Sequence, residues 1–286
     1  VSASPHSPKP GLWGWRHLVL RRCAQFAVLL MFFGTLHWGW EVAGAPLLRG
    51  NLSAAELLGV LPLADPFAVL QQLVSGHWLH ATVLTGAAVI LVFYALAGRV
   101  FCAWVCPMNM VTDAAAWLRN RLNPKHLFVL SRATRHWILG MALLLSALTG
   151  VAAFEWVSPI SMLHRELIYG VGMGLTAALG IFIFDLLILK HGWCGHLCPL
   201  GAFYGLVGSR AAIRVRFDDA SCTRCGECAR VCPEPQVLNL KQAAERGMVA
   251  SGACTNCGRC LPACPEDSLD FAWRWQAVPH GTRKQP

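Results

Sequence analysis

The chain reads as a polytopic α-helical membrane protein, with four transmembrane helices in a two-fold helical-hairpin repeat, ending in a small cysteine-rich domain. Three observations lead there. Of 286 residues, 55% are hydrophobic and only 14% charged, where an ordinary soluble protein carries about 25% charged residues. Four long stretches hold most of that apolar excess. Of the thirteen cysteines, most cluster toward the C-terminus. The apolar content excludes a disordered chain, and the length allows roughly two domains.

The spans come in order at residues 23–40, 78–98, 137–154 and 168–189, the last interrupted only by Asp185. A helix needs about 20 apolar residues to cross a hydrocarbon core of about 30 Å. Trp38, Trp40, Trp78, Trp137, Trp156 and Trp193 stand near the ends, where an aromatic belt places them. Buried helices of a soluble protein would need polar outer faces, and these segments offer none.

Basic residues set the orientation. Lys9, Arg16, Arg21 and Arg22 precede the first span. Arg99, Arg119, Arg121, Lys125, Arg132 and Arg135 lie between the second and third, and Lys190, Arg210, Arg214 and Arg216 follow the fourth. The opposite loops hold Arg49 and Arg165. The bias predicts a multi-pass protein of a bacterial inner membrane with both termini cytoplasmic. It also accounts for the net charge of +9 without nucleic acid. Ala43-Gly44-Ala45 resembles a signal-peptidase site, but an uncleaved first helix is the expectation. The loop 41–76 is expected along the outer membrane surface. Residues 108–122 place Val111, Ala115, Leu118 and Leu122 at helical spacing, as in an interfacial helix.

The cysteines carry the chemistry. Cys222, Cys225, Cys228 and Cys232-Pro233 spell C-x-x-C-x-x-C-x-x-x-C-P, and Cys254, Cys257, Cys260 and Cys264-Pro265 spell it again. Such a run gives three thiolates to one cubane cluster and its fourth to the other. Cys222, Cys225, Cys228 and Cys264 are thus expected on one [4Fe–4S] cluster, and Cys254, Cys257, Cys260 and Cys232 on the second. Zinc favours paired C-x-x-C elements, and disulfides do not suit a cytoplasmic face. The C-terminal part is therefore expected to be a bacterial-type 2[4Fe–4S] ferredoxin domain, its two runs joined by a polar linker at residues 241–251. The expected partition is a cytoplasmic segment 1–22, a membrane domain 23–216, a ferredoxin domain 217–272 and a tail 273–286.

Four more cysteines form two C-x-x-x-C-P motifs, Cys102/Cys106-Pro107 and Cys194/Cys198-Pro199, each directly after a span. This is an internal repeat that sets both pairs at one membrane surface. The four thiols could hold a third iron–sulfur centre, act as redox dithiols, dock a partner, or merely shape tight turns. Cys23 reads as a small apolar filler.

Four helices, two C-x-x-x-C-P motifs and the double cluster run together resemble the NapH family, the ferredoxin-type quinol dehydrogenase membrane components of periplasmic nitrate reductase systems. The layout is also similar to a methylamine-utilisation ferredoxin protein, to copper-handling accessory proteins and to the membrane half of nitrous-oxide reductase regulators. Length favours the NapH type. The resemblance implies quinol oxidation at the membrane. Electrons would then pass to a periplasmic ferredoxin-type or multihaem cytochrome partner, and onward to nitrate reductase. An accessory or maturation protein of the methylamine or copper-reductase type is the alternative. A membrane scaffold that docks ferredoxins is a third reading.

A quinol site needs an apolar slot and proton-accepting groups, and ionisable residues in or beside spans are the default candidates. His37, His80 and His164 are expected on an outward-facing site, since imidazole accepts protons near neutral pH. Glu41, His77, Glu155 and Glu166 lie on the same side. Asp185, with His191 and His196 nearby, marks an inner alternative closer to the cluster motifs.

Overall fold

The computed structural model describes residues 12–124, 130–170 and 172–276. The expectations for Lys9, Lys125 and tail residues 277–286 lie outside the described residues.

Helix α1 (Leu12–His37) is followed by a small hairpin, β1 (Glu41–Val42) and β2 (Ala45–Pro46). Strands β3 (Leu48–Gly50), β4 (Ala54–Leu57) and β5 (Leu61–Ala64) then form an antiparallel sheet in the order β3-β4-β5. Helices α2 (Pro66–Val74), α3 (Ala81–Ala97), α4 (Phe101–Trp104), α5 (Met108–Leu122), α6 (Thr134–Thr149), α7 (Ala153–Val157), α8 (Pro159–Tyr169) and α9 (Gly174–Leu187) follow. A π turn at Trp193–Leu197 leads to α10 (Pro199–Val207). The last stretch holds β6 (Ile213–Phe217), α11 (Glu227–Val231), α12 (Leu240–Arg246), α13 (Cys260–Ala263) and β7 (Leu269–Trp273).

Among the described residues one helix, Arg16–His37, is long and apolar enough to cross a membrane. The segments expected as the other spans form shorter helices of 17, 16 and 14 residues. At 1.5 Å per residue these reach about 20–26 Å, against a hydrocarbon core of about 30 Å. The fourth expected span is broken. Helix α8 stops at Gly170, whose φ of 70° provides a left-handed cap, and α9 starts only at Gly174. Apolar side chains nevertheless face outward along each helix, among them Val92 and Leu96 on α3, Leu144 and Leu148 on α6, and Leu175 and Leu179 on α9.

The chain divides into two compact units. One comprises, of the described residues, 24–92, 105–124, 130–170 and 172–203. In it Phe32 of α1, Leu48 of β3 and Ile168 of α8 form a buried apolar cluster. Asp65 caps α2 by accepting the Phe67 amide, with Pro66 at the first helical position. The fully buried Gln71 of α2 accepts the Phe154 amide at 2.9 Å and the Ser146 hydroxyl at 3.4 Å, tying α2 to α6 and α7. Residues 41–76 therefore hold strands and a capped helix where only a surface loop was expected.

Helix α5 has the expected bounds. Of the four apolar residues read as the face of an interfacial helix, Ala115 is buried and Leu122 is exposed. Met108, Thr112, Ala116 and Arg119 join Ala115 on the buried side. The small Ala115 and Ala116 allow close packing against α9, where Arg119 Nη1 donates to the carbonyls of Asp185 (3.2 Å) and Leu186 (2.7 Å), and Nη2 to that of Ile188 (3.4 Å). The guanidinium thereby satisfies carbonyls that a helix end leaves without intrahelical partners.

The other unit comprises, of the described residues, 12–23, 93–104 and 204–276. Strands β6 and β7 pair antiparallel, with Val215 opposite Phe271 and Arg216 opposite Asp270. Its core joins Val215, Phe217, Val237, Val249, Leu261 and Leu269. The expected polar linker is partly helical: Asn239 caps α12 through the Gln242 amide, and Gly247 ends it with φ of 66°. Val249 then donates to the Val215 carbonyl at 2.8 Å, so the linker adds to the sheet edge. Tyr94, Phe101 and Tyr204 pack as an aromatic group in this same unit.

Candidate functional site

The two cluster runs fold alike. In the first, Arg224 and Gly226 take left-handed φ of 56° and 81°; in the second, Asn256 and Gly258 take 48° and 73°. Each pair of kinks wraps the loop so that successive thiols turn toward one centre. Glycine takes such angles without steric cost, and asparagine tolerates them. The third thiol of each run opens or enters a short helix, Cys228 in α11 and Cys260 in α13. The fourth, Cys232 or Cys264, stands just past that helix in extended backbone.

This arrangement crosses the runs. One cavity is lined by Cys222, Cys225, Cys228 and Cys264, against walls of Phe217, Leu240 and Leu269. A second is lined by Cys232, Cys254, Cys257 and Cys260, against Val215, Val237 and Val249. The Arg224 amide donates to Cys222 Sγ at 3.4 Å and the Ser268 amide to Cys264 Sγ at 3.3 Å. Burial pushes the Cys254 thiol up to about 11 and the Cys232 thiol up to about 12, and raises those of Cys222, Cys228 and Cys260. Thiolates crowded against apolar walls need a cationic partner. Among the described residues, no three metal-ligating side chains converge as the cage of a single ion. Four thiols around a cavity instead suit a polynuclear iron–sulfur group.

The C-x-x-x-C-P motifs sit differently. Cys102 lies on α4 in the ferredoxin-containing unit, while Cys106, Cys194 and Cys198 belong to the other. Cys106 and Cys198 are buried, each just before the proline that leads into α5 or α10. Arg99 Nε donates to Cys102 Sγ at 3.3 Å. Cys194, in the π turn, has the Thr112 hydroxyl at 3.7 Å.

The proposed proton-handling residues are scattered. His37 ends α1, where its Nε2 lies 2.8 Å from the Ile168 carbonyl and its ring packs on Phe33. His80 is exposed just before α3. Asp185 is buried on α9, its Oδ1 accepting the Trp193 amide at 3.0 Å. His164, 1% exposed, lines a cavity of about 280 Å³ between the β3-β5 sheet, α2, α3 and α8. Neither of its ring nitrogens has a hydrogen-bond partner among the described residues, and burial pushes its imidazole down to about 4. In the same cavity Glu155 Oε1 accepts the hydroxyls of Ser53 at 2.5 Å and Ser161 at 2.7 Å. Ser53, which patterning did not single out, and Arg165, read only as a loop charge, also line the cavity. Ser161 and His164 stand three apart on one helix, a spacing that places both on one face.

A helical chain that folds two interleaved cysteine runs around two cavities is an iron–sulfur protein of the ferredoxin type. Comparison with known proteins agrees. A family described as a 4Fe-4S binding domain matches residues 79–125 and again 171–217, covering both C-x-x-x-C-P motifs. One described as a 4Fe-4S dicluster domain matches residues 214–266. The ferredoxin-type protein NapH of Escherichia coli is 46% identical over 84% of this chain and 83% of its own. NapH of Haemophilus influenzae is 45% identical over 79% of each. The methylamine utilization ferredoxin-type protein MauN of Methylorubrum extorquens is 47% identical over 77% of this chain and 75% of its own. The chain belongs to this NapH and MauN family of ferredoxin-type proteins. No solved structure matches it.

Proposed function

We propose that this chain is a membrane electron-transfer subunit that holds two [4Fe–4S] clusters, takes part in quinol oxidation and feeds a periplasmic nitrate reductase. The observation that carries the reading is the crossing of the cysteine runs. Cys222, Cys225, Cys228 and Cys264 would hold one cluster, and Cys232, Cys254, Cys257 and Cys260 the other. Such clusters, when bound, supply one-electron transfer at potentials set by their surroundings. The residues' part is to hold them in apolar cavities and exclude water.

Four apolar segments would span the membrane with both termini in the cytoplasm. Outward-facing leucines and valines on α3, α6 and α9 support this, since lipid rather than water suits them. The partner would be a periplasmic ferredoxin-type protein or multihaem cytochrome, as in NapH systems. His37, His80, His164 and Asp185 remain the proposed quinol or proton-handling residues. The cavity holding His164 and Glu155 supports the outer site best: it joins an apolar wall of Ala64, Val69 and Val83 to two groups able to meet a hydroxyl.

The test is anaerobic purification with iron and sulfide counting, then EPR after adding a quinol analogue. Eight irons per chain and a quinol-reduced signal are expected; about twelve would place a third centre at the C-x-x-x-C-P motifs. No reduction of any centre by quinol, with the partner present, would overturn the quinol step. A second reading, an accessory protein for a methylamine-oxidising client, is favoured by the comparable identity to MauN. Client maturation defects with quinol reduction absent would select it.

A further inference from the structure

The two thiol-lined cavities have unlike electrostatic surroundings. Beside the one lined by Cys232, Cys254, Cys257 and Cys260 lie two guanidinium groups, Arg99 and Arg214, each 1% exposed. Arg99 Nη1 donates to Glu234 Oε1 at 3.2 Å and to the Ala253 carbonyl at 3.4 Å, the residues flanking this cradle. Its Nε reaches Cys102 Sγ. Arg214 Nη1 donates to the Ser251 carbonyl at 2.8 Å, just before Cys254, and Nη2 to the Gly208 carbonyl. Asn256, inside the cradle loop, donates from Nδ2 to the carbonyls of Ala97 and Ile213, and its own carbonyl accepts the Trp104 indole N–H. The loop is thus clamped to the segment that carries the first C-x-x-x-C-P motif. Arg99 and Arg214 both act on the Cys254 sulfur with positive sign, Arg259 lines the same cavity, and Glu234, in its wall, opposes them at Cys232.

The cradle of Cys222, Cys225, Cys228 and Cys264 is different. Cys225 is exposed. Its nearest charges pair among themselves: Arg224 with Asp219 at 3.4 Å and Arg230 with Glu227. Both arginines are largely in solvent, so their charge is screened. Asp219 is mostly covered and acts on the Cys222 sulfur with negative sign.

We propose that the two cluster sites are inequivalent, with Arg99 and Arg214 holding the Cys232/Cys254/Cys257/Cys260 site at the higher reduction potential, as the inner electron reservoir adjoining Cys102. The Cys222/Cys225/Cys228/Cys264 site is then the low-potential end, open to a soluble one-electron partner at Cys225. Taking up one electron adds one negative charge and breaks no bond. A buried cation stabilises that charge more strongly than an exposed one, because the interior screens weakly. Hydrogen-bonding and charged neighbours beyond the direct ligands are an established means of setting such potentials. Arg99 and Arg214 act here as positioning residues.

The inference rests on the ligand sets proposed above, and the experiment separates the two. The whole protein is purified anaerobically, its iron counted, and its EPR followed while dithionite and mediators set the potential. Eight irons and two reduction steps separated by at least tenfold, 59 mV for one electron, are expected. R99Q and R214Q should each lower the upper step, and R99K, which keeps the charge, should restore it. D219N should raise the lower step and leave the upper one unmoved. Should R99Q fail to assemble, R214Q and R99K carry the test. Two coincident steps with eight irons, or R99Q and D219N moving the same signal, would overturn the inequivalence. Fewer than eight irons in the unaltered protein would overturn the ligand reading beneath it.

Discussion

The two C-x-x-x-C-P motifs share a spacing, a proline and a following helix, yet their first thiols meet different neighbours. In the first, Cys102 sits on a short α turn with the guanidinium of Arg99 at 3.3 Å. In the second, Cys194 sits in a π turn held by Asp185 Oδ1 on the Trp193 amide, with the neutral Thr112 hydroxyl at 3.7 Å. The shared part is what local chemistry dictates, since proline suits the first turn of a helix. The unlike part comes from residues distant in sequence. A charged donor forms a much stronger hydrogen bond than a hydroxyl facing sulfur, so the repeat supplies two sockets of different character.

The largest test of that difference is R99A. It leaves Glu234 buried without the ion pair they share, and breaking one side of such a pair costs about 3–5 kcal/mol. Thermal unfolding should show a large loss, partly recovered in R99A/E234Q. An unchanged midpoint would mean that the first motif is not anchored through this arginine. Arg119 holds the end of α9 that precedes the second motif, and R119A should cost about 2–3 kcal/mol, as for lost hydrogen bonds to a charged group. R119K should recover part of it by chemical denaturation.

The next effect belongs to His164, which lies on α8 outside the proposed spans. Burial holds its folded value at about 4, below the 6.5 of an ordinary imidazole. The unfolded chain therefore binds the proton first, and stability present above pH 6.5 declines as pH falls toward 4. The slope should be at most about 1.4 kcal/mol per pH unit and should vanish in H164F; a slope surviving in H164F would assign it elsewhere. Smallest is R216A. Its ion pair with Asp270 is half-exposed on both sides, and such a pair contributes about 0.5 kcal/mol or less. A loss above 1 kcal/mol would show that the pairing of β6 with β7 depends on it.

The cysteine framework was legible because it is local. Spacings of two and three residues, and Cys-Pro, predict the kinked loops and short helices that the structure contains. The crossing of the runs also follows from them. The bounds of α5 were readable from hydrophobic spacing, but its buried face was not, because Arg119 is drawn inward by carbonyls on α9. The β3-β5 sheet went unseen since its strands are three and four residues long, too short for alternation to register. The break at Gly170 hid within an apolar run because composition alone does not reveal a left-handed cap. Arg99 and Arg214 were read as loop charges that orient the chain. An arginine three residues before a motif cysteine was the available clue to the first. Nothing in local spacing pointed to the second, which owes its burial to residues 208 and 251.

The crossing of the cysteine runs also bears on biosynthesis. Each cavity borrows its fourth thiol from the other run, so Cys222, Cys225 and Cys228 wait for Cys264, which comes well after them in translation. With the proposed ligand sets, neither half would mature alone. Contacts so far apart in sequence form late, which makes completion of the module an all-or-none event that follows synthesis of both runs. Truncation between residues 233 and 253 should therefore leave a chain without either loaded centre rather than with one.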